Sequence, residues 1–158
     1  MRFTLQKIEA LSGMKASCYS VVVENEEKSL FEKFLEENSV LHKDEILDIL
    51  ARLNTIAQTT GIRRGFFKEF EGNPGDGVCA LYDEPSRKLR LYCILFGEKI
   101  IVLGGGGRKS VQKLQQDAKL KAENFLLREV SKTITRAIIT KETAFTDDML
   151  EFTGDLIF

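Results

Sequence analysis

The chain has no tryptophan, one histidine (His42) and two prolines in 158 residues. A single imidazole excludes any site built on two histidines, whether a metal centre or an acid–base pair. The three cysteines, Cys18, Cys79 and Cys93, are odd in number and widely spaced. They suit neither a disulfide framework nor a zinc cluster, and inside apolar stretches they read as buried free thiols. No uninterrupted apolar run approaches the roughly 18 residues of a membrane span. Residues 1–7 lack the apolar core of a secretory signal. These absences lead us to expect a cytoplasmic protein without metal, cofactor or membrane attachment.

What is present suits a folded domain. The chain is 43% hydrophobic and 30% charged, which argues against disorder. A chain of this length gives a prior of one domain that needs no staple to bury a core. We expect residues 1–142 to form that domain and 143–158 to be an acidic tail.

Residues 1–16 fit strand and helix equally well. Residues 18–23 are β-branched and short, and read as a strand. Leu30, Phe31, Phe34 and Leu35 share a helical face. So do Ile46, Leu47, Ile49, Leu50, Leu53, Ile56 and Ala57, with Gly61 as a stop. A turn cluster, Gly72-Asn73-Pro74-Gly75-Asp76-Gly77, precedes strand-like runs at 78–82, 88–96 and 99–103. Gly97-Glu98 suits a two-residue type II′ turn. A long helical pattern follows, carrying Val111, Leu114, Ala118, Ala122, Phe125, Leu126, Val130 and Ile134. The order predicts an α+β fold, with helices packed on one face of a mainly antiparallel sheet and a long C-terminal helix.

Charge is unevenly spread. Residues 86–136 carry 12 basic and 4 acidic side chains, and the remainder of the chain carries 11 basic and 20 acidic. The near-neutral total therefore masks a strongly basic third, a pointer to a polyanion partner. Within it, Leu89, Leu91, Cys93 and Leu95 alternate with Lys88, Arg90 and Tyr92. Two cations and a phenol spread along about 13 Å of one strand face would suit phosphates and a stacked base. An ordinary half-exposed strand carries the same pattern.

Gly104-Gly105-Gly106-Gly107-Arg108-Lys109-Ser110 invites a phosphate-loop reading, but its spacing fails. With Lys109-Ser110 as the end of the motif, Arg108 and Leu103 stand where glycines are required. What remains is a flexible glycine segment beside a helix start, with Arg108 and Lys109 suited to an anionic group.

The order strand, two helices, three-strand meander resembles the RelE/ParE superfamily of toxins from bacterial type II toxin–antitoxin systems. Lys88-Leu89-Arg90-Leu91-Tyr92, then Ile100-Ile101-Val102-Leu103, then glycine with Arg108-Lys109, is most similar to its phage-derived HigB-like branch. The resemblance covers roughly residues 18–115. It implies a ribosome-dependent, metal-independent mRNA endonuclease neutralised by a helix-turn-helix antitoxin. It also implies that Arg90 holds the scissile phosphate on an open sheet face. Arg108 and Lys109 would stabilise transition-state charge, and Tyr92 would stack on a base or assist proton transfer. Arg87, Lys88 and Lys113 would add RNA contacts, and Lys88 would take the 2′-OH proton if neighbouring cations favour its neutral form. The departures are glycines where the branch often has an aromatic or His, the long helix and the acidic tail.

Two alternatives stand beside this reading: a ParE-like gyrase poison, and a non-enzymatic module that dimerises through the long helix. In the tail, Thr146-Asp147-Asp148 reads as a helix N-cap with acids in the first turn. The tail would then either dock on its own core or lie across the basic face and block it.

Overall fold

The computed structural model describes residues 1–68, 77–109 and 114–158, and the side chains of all these but 114–117. The turn cluster from Gly72 to Asp76, and Ser110, Val111 and Lys113, lie outside the described residues; Gly77 is described, with φ +72°.

The N-terminus is a strand, β1 (Phe3–Lys7), in which Phe3 and Leu5 face the core while Thr4 and Gln6 face water. A 3-10 turn at Glu9–Leu11 leads into β2 (Ser17–Val23), which pairs antiparallel with β1. Helix α1 (Leu30–Asn38) starts at a capping box: Ser29 Oγ accepts from the Glu32 N–H at 3.1 Å, and Glu32 Oε1 accepts from the Ser29 N–H at 3.3 Å. Helix α2 (Lys43–Thr55) widens into a π turn, Ile56–Thr60, and stops at Gly61, whose φ of +72° favours glycine. Then come β3 (Phe67–Lys68), β4 (Val78–Leu81), β5 (Leu89–Phe96) and β6 (Ile100–Arg108). Helix α3 (Leu114–Ile139) and a small hairpin, β7 (Thr143–Phe145) and β8 (Phe152–Gly154), complete the chain.

The fold is α+β. Six strands form one mixed sheet in the order β1-β2-β6-β5-β4-β3, in which β2 and β6 run parallel and every other neighbouring pair is antiparallel. Buried Ser20 ties the parallel seam to α1, because its Oγ donates to Leu103 O at 2.8 Å and accepts from the Phe31 N–H at 3.2 Å.

Helices cover both faces of this sheet, where one was expected. The period of two sends Leu89, Leu91 and Cys93 toward Phe31, Phe34, Ile49 and Leu53 of α1 and α2. It sends Tyr92, Ile94 and Phe96 toward Leu120, Leu127, Val130 and Ile134 of α3. Each fully buried side chain of Leu127's kind stabilises the fold by roughly 1.5–3 kcal/mol. The stripe of α3 that meets the sheet differs from the expected one. Ala118, Ala122 and Phe125 face outward.

The four glycines explain that choice, and they form no flexible loop. They lie inside β6 and are buried. Leu91 pairs with Gly106 and Cys93 with Leu103, so Tyr92 alone faces Gly104 and Gly105, a bulge in β6. A Cβ on Gly104 would come within 2.8 Å of Leu127, and one on Gly105 would overlap Glu123. The absent side chains let α3 lie close on the sheet. The β5–β6 link is also longer than expected. Phe96 pairs with Ile100, leaving a three-residue turn that opens at Gly97 with φ +58°.

The tail is a β-hairpin, not a capped helix. Asp148 Oδ1 accepts from Thr146 Oγ1 and from the Leu150 N–H, closing a turn in place of a first helical turn. Those two bonds hold the Asp148 carboxyl below its usual range. Residues 156–158 pair with β1 through Phe3–Phe158 and Leu5–Leu156 backbone bonds of 2.8–2.9 Å. The buried Phe152 ring packs on Tyr19, Phe96 and Phe145.

Candidate nucleic-acid interface

Four cation- and acid-bearing residues come together at one end of four neighbouring strands. Asp83, just past β4, has a side chain only 4% exposed. Lys68 at the end of β3 reaches its Oδ1 at 2.8 Å. Lys109, just past β6, reaches its Oδ2 at 2.6 Å and donates to Glu84 O at 2.9 Å. Arg90 of β5 places Nε 3.6 Å from the same oxygen. Burial alone would push the Asp83 carboxyl up, but Lys109, Lys68 and Arg90 overcome it and leave the group below the usual carboxylate range. Three cations thus converge on a single anion in partial shelter from water, where charge interactions are stronger than in bulk.

Arg90 also belongs to a second feature. A cavity of about 470 Å³ lies between β5 and α3, lined by Arg90, Tyr92, Leu120, Lys121, Asn124, Phe125 and Arg128. Lys121, Asn124, Phe125 and Arg128 are spaced i, i+3, i+4 and i+7, so the helical repeat presents them together. Among the described residues no carboxylate lines this cavity.

The placement of the expected site residues divides them. Arg90 and Tyr92 share the cavity, and Arg90 and Lys109 share Asp83. The sheet face that carries Arg90 and Tyr92 is not open, because α3 crosses it and leaves Tyr92 only 5% exposed. The cause is the glycine bulge in β6, which draws α3 onto β5 and β6. Arg108 and Lys88 are exposed at the strand ends. The backbone N–H of Lys88 donates to Glu45 Oε1 at 2.7 Å. Arg87 turns to the α2 side and pairs with Asp48 at 3.5 Å. Lys113 lies outside the described residues.

The tail does not cover this region. Its polar contacts include Lys7 Nζ with Glu151 Oε1 at 2.5 Å, Lys99 Nζ with Asp148 O at 3.1 Å and the Phe152 N–H donating to Tyr19 Oη at 3.1 Å, and it docks on β1, toward the opposite edge of the sheet. The blocking arrangement is therefore not formed, because the apolar half of the tail packs elsewhere, Phe158 and Leu156 along β1 and Phe152 on Tyr19 and Phe96.

The sequence reasoning missed Asp83, Lys68 and the polar stripe of α3. Asp83 carried a faint signal, an acid directly after the apolar β4 run. The stripe was legible in principle from its helical spacing. No helix among the described residues is long and apolar enough to cross a membrane, and among them no group of three or more His, Cys, Asp or Glu could hold a metal ion.

No known protein family, curated protein or solved structure matches the chain.

Proposed function

We propose that this chain is the toxin of a type II toxin–antitoxin system, a RelE-like, ribosome-dependent mRNA endonuclease. The observation that supports the reading is the position of Arg90, which shares the Asp83 ion-pair cluster with Lys109 on one side and the basic, aromatic-walled cavity with Tyr92 on the other. RNA supplies its own nucleophile. The 2′-oxygen bonds to the adjacent phosphorus, the bond from phosphorus to O5′ breaks, and the products are a 2′,3′-cyclic phosphate and a free 5′-hydroxyl. The 2′-OH proton passes to water, and O5′ leaves with a proton from water, so the scheme calls for no metal ion. The protein has two tasks: to orient the phosphate and to stabilise charge on its equatorial oxygens. Arg90 and Lys109 supply those charges, with Arg108 beside them at the end of β6. An antitoxin partner restrains the activity in the cell.

Inducible expression in bacteria tests this reading. Wild-type chain arrests growth, Arg90→Ala does not, and co-expression of the neighbouring antitoxin gene relieves the arrest. Arrest that survives Arg90→Ala, or no arrest with wild type, overturns it. Arrest accompanied by a DNA-damage response and intact mRNA would transfer the chain to the gyrase-poison alternative.

A further inference from the structure

We infer that the cavity between β5 and α3 is a one-nucleotide pocket that recognises a nucleoside monophosphate unit. The inference deepens the RNA reading and rests on it for the identity of the natural ligand. The pocket shares Arg90 with the proposed cleavage site, but its other cations, and Phe125, come from α3.

Size is the first argument. A volume of about 470 Å³ falls within the roughly 300–1,000 Å³ of small-molecule sites, at the small end where a single nucleotide belongs. Charge is the second. Arg90, Lys121 and Arg128 line the pocket from two elements that face each other, β5 and α3. Guanidinium groups bind phosphate through paired N–H donors, and two of the three cations are arginines. Shape is the third. Tyr92 and Leu120 form the buried floor, and Phe125, 62% exposed, stands at the rim. Phe125 therefore offers an accessible ring beside the three cations of the pocket. A base would stack on that ring, with a gain common to all four bases.

Asn124 adds discrimination. Its carboxamide, one donor pair and one acceptor, is the only neutral hydrogen-bonding group other than the Tyr92 hydroxyl among the described lining side chains. It lines the same cavity as Phe125, within which it would meet the edge of a base stacked on that ring. Phosphate is thus read by Arg90, Arg128 and Lys121, the base face by Phe125 and the base edge by Asn124. The order of affinities should depend on the base, and it should change in Asn124→Asp.

The test is titration of the full chain with AMP, GMP, CMP and UMP, with the corresponding nucleosides, with inorganic phosphate, and with a short single-stranded RNA, followed by NMR. At least one monophosphate is expected to bind saturably, with Kd below about 1 mM. Its nucleoside and phosphate alone should each bind at least about tenfold more weakly, a loss worth about 1.4 kcal/mol. Shifts should centre on Asn124, Phe125 and Arg128. Arg128→Gln and Phe125→Ala should each weaken binding about tenfold, whereas Lys132→Gln, an exposed cation farther along α3, should leave it unchanged. Phe125→Ala removes an exposed side chain, and an unaltered melting temperature verifies its fold. Phosphate binding as tightly as the monophosphate, equal loss in Lys132→Gln, or binding of the RNA without any monophosphate would each overturn the pocket. Growth arrest is not read in this experiment. Monophosphate binding in a chain that arrests nothing would sink the endonuclease reading and leave the pocket standing.

Discussion

Lys109 Nζ lies 2.6 Å from Asp83 Oδ2, joining the segment after β6 to the segment after β4 across the intervening β5. Arg90 of β5 and Lys68 of β3 complete the cluster, so one buried carboxylate fixes cations from three separate stretches of chain. Arg90 and Lys109, two of the twelve basic residues of 86–136, are held by this carboxylate.

Asp83→Asn keeps the shape and removes the charge. Removing one partner of a buried ion pair costs 3–5 kcal/mol in the most buried examples, but the cations here retain some exposure. We expect a loss of about 1–3 kcal/mol, read by urea unfolding at neutral pH. A loss below about 0.5 kcal/mol would show that the cluster holds nothing together.

The same residue sets a pH dependence. Its carboxyl is lower in the folded protein than in the unfolded chain, where it titrates near pH 4. Its stabilisation is therefore complete above about pH 4 and is lost as pH falls through the folded value. Urea midpoints taken from pH 7 downward should fall below about pH 4 in wild type, and the fall should be shallower in Asp83→Asn. Parallel pH curves for the two proteins would contradict this assignment.

The glycines of β6 should differ in tolerance. A Cβ on Gly106 would run into the backbone carbonyl of Arg90, which cannot move without breaking the strand pair. On Gly104 it would press on fully buried Leu127. On Gly105 it would meet the end of the Glu123 side chain, which can swing aside. Alanine should thus cost most at Gly106, about 1–3 kcal/mol at Gly104, and least at Gly105. Equal melting temperatures for the three variants would contradict the close approach of α3.

Removing the hairpin should destabilise the fold and not expose a binding face. Phe152→Ala deletes a buried ring and is expected to cost about 3–5 kcal/mol by thermal or urea unfolding. Tighter RNA binding by a folded chain lacking 143–158 would restore the idea of a blocking tail.

The thiols should be inert while the protein is folded. Burial pushes Cys18 up to about 12 and Cys93 well above its ordinary value, and all three cysteines are buried and free. Cys79 and Cys93 face each other across β4 and β5 with sulfurs 3.5 Å apart. Iodoacetamide labelling followed by mass spectrometry should show no rapid addition at neutral pH until denaturant is present.

Much of the layout was legible because the local patterns were strong. Leu30, Phe31 and Phe34 announced α1, and alternation from Leu89 to Leu95 announced β5. The failures share a cause: a local pattern with two uses, settled by a distant partner. Glycine usually punctuates loops, but Gly104 and Gly105 lie in a strand because Leu127 and Glu123, some twenty residues onward, need their space. Asp148 bonds the N–H two residues ahead in a turn much as it would cap a helix, and the pairing of 156–158 with β1 selects the turn. At the site, Arg90 and Tyr92 were visible as one strand face, whereas their neighbours Arg128 and Asn124 depend on how α3 is rotated about its axis. That rotation follows from the bulge, which no window of local sequence contains.

The most direct measurement maps the 5′ ends of cellular mRNA after brief expression of wild type and of Arg90→Ala. New ends bearing 5′-hydroxyls, confined to translated messages and absent with Arg90→Ala, are the predicted result. Messages left intact by wild-type chain at full expression would contradict the account.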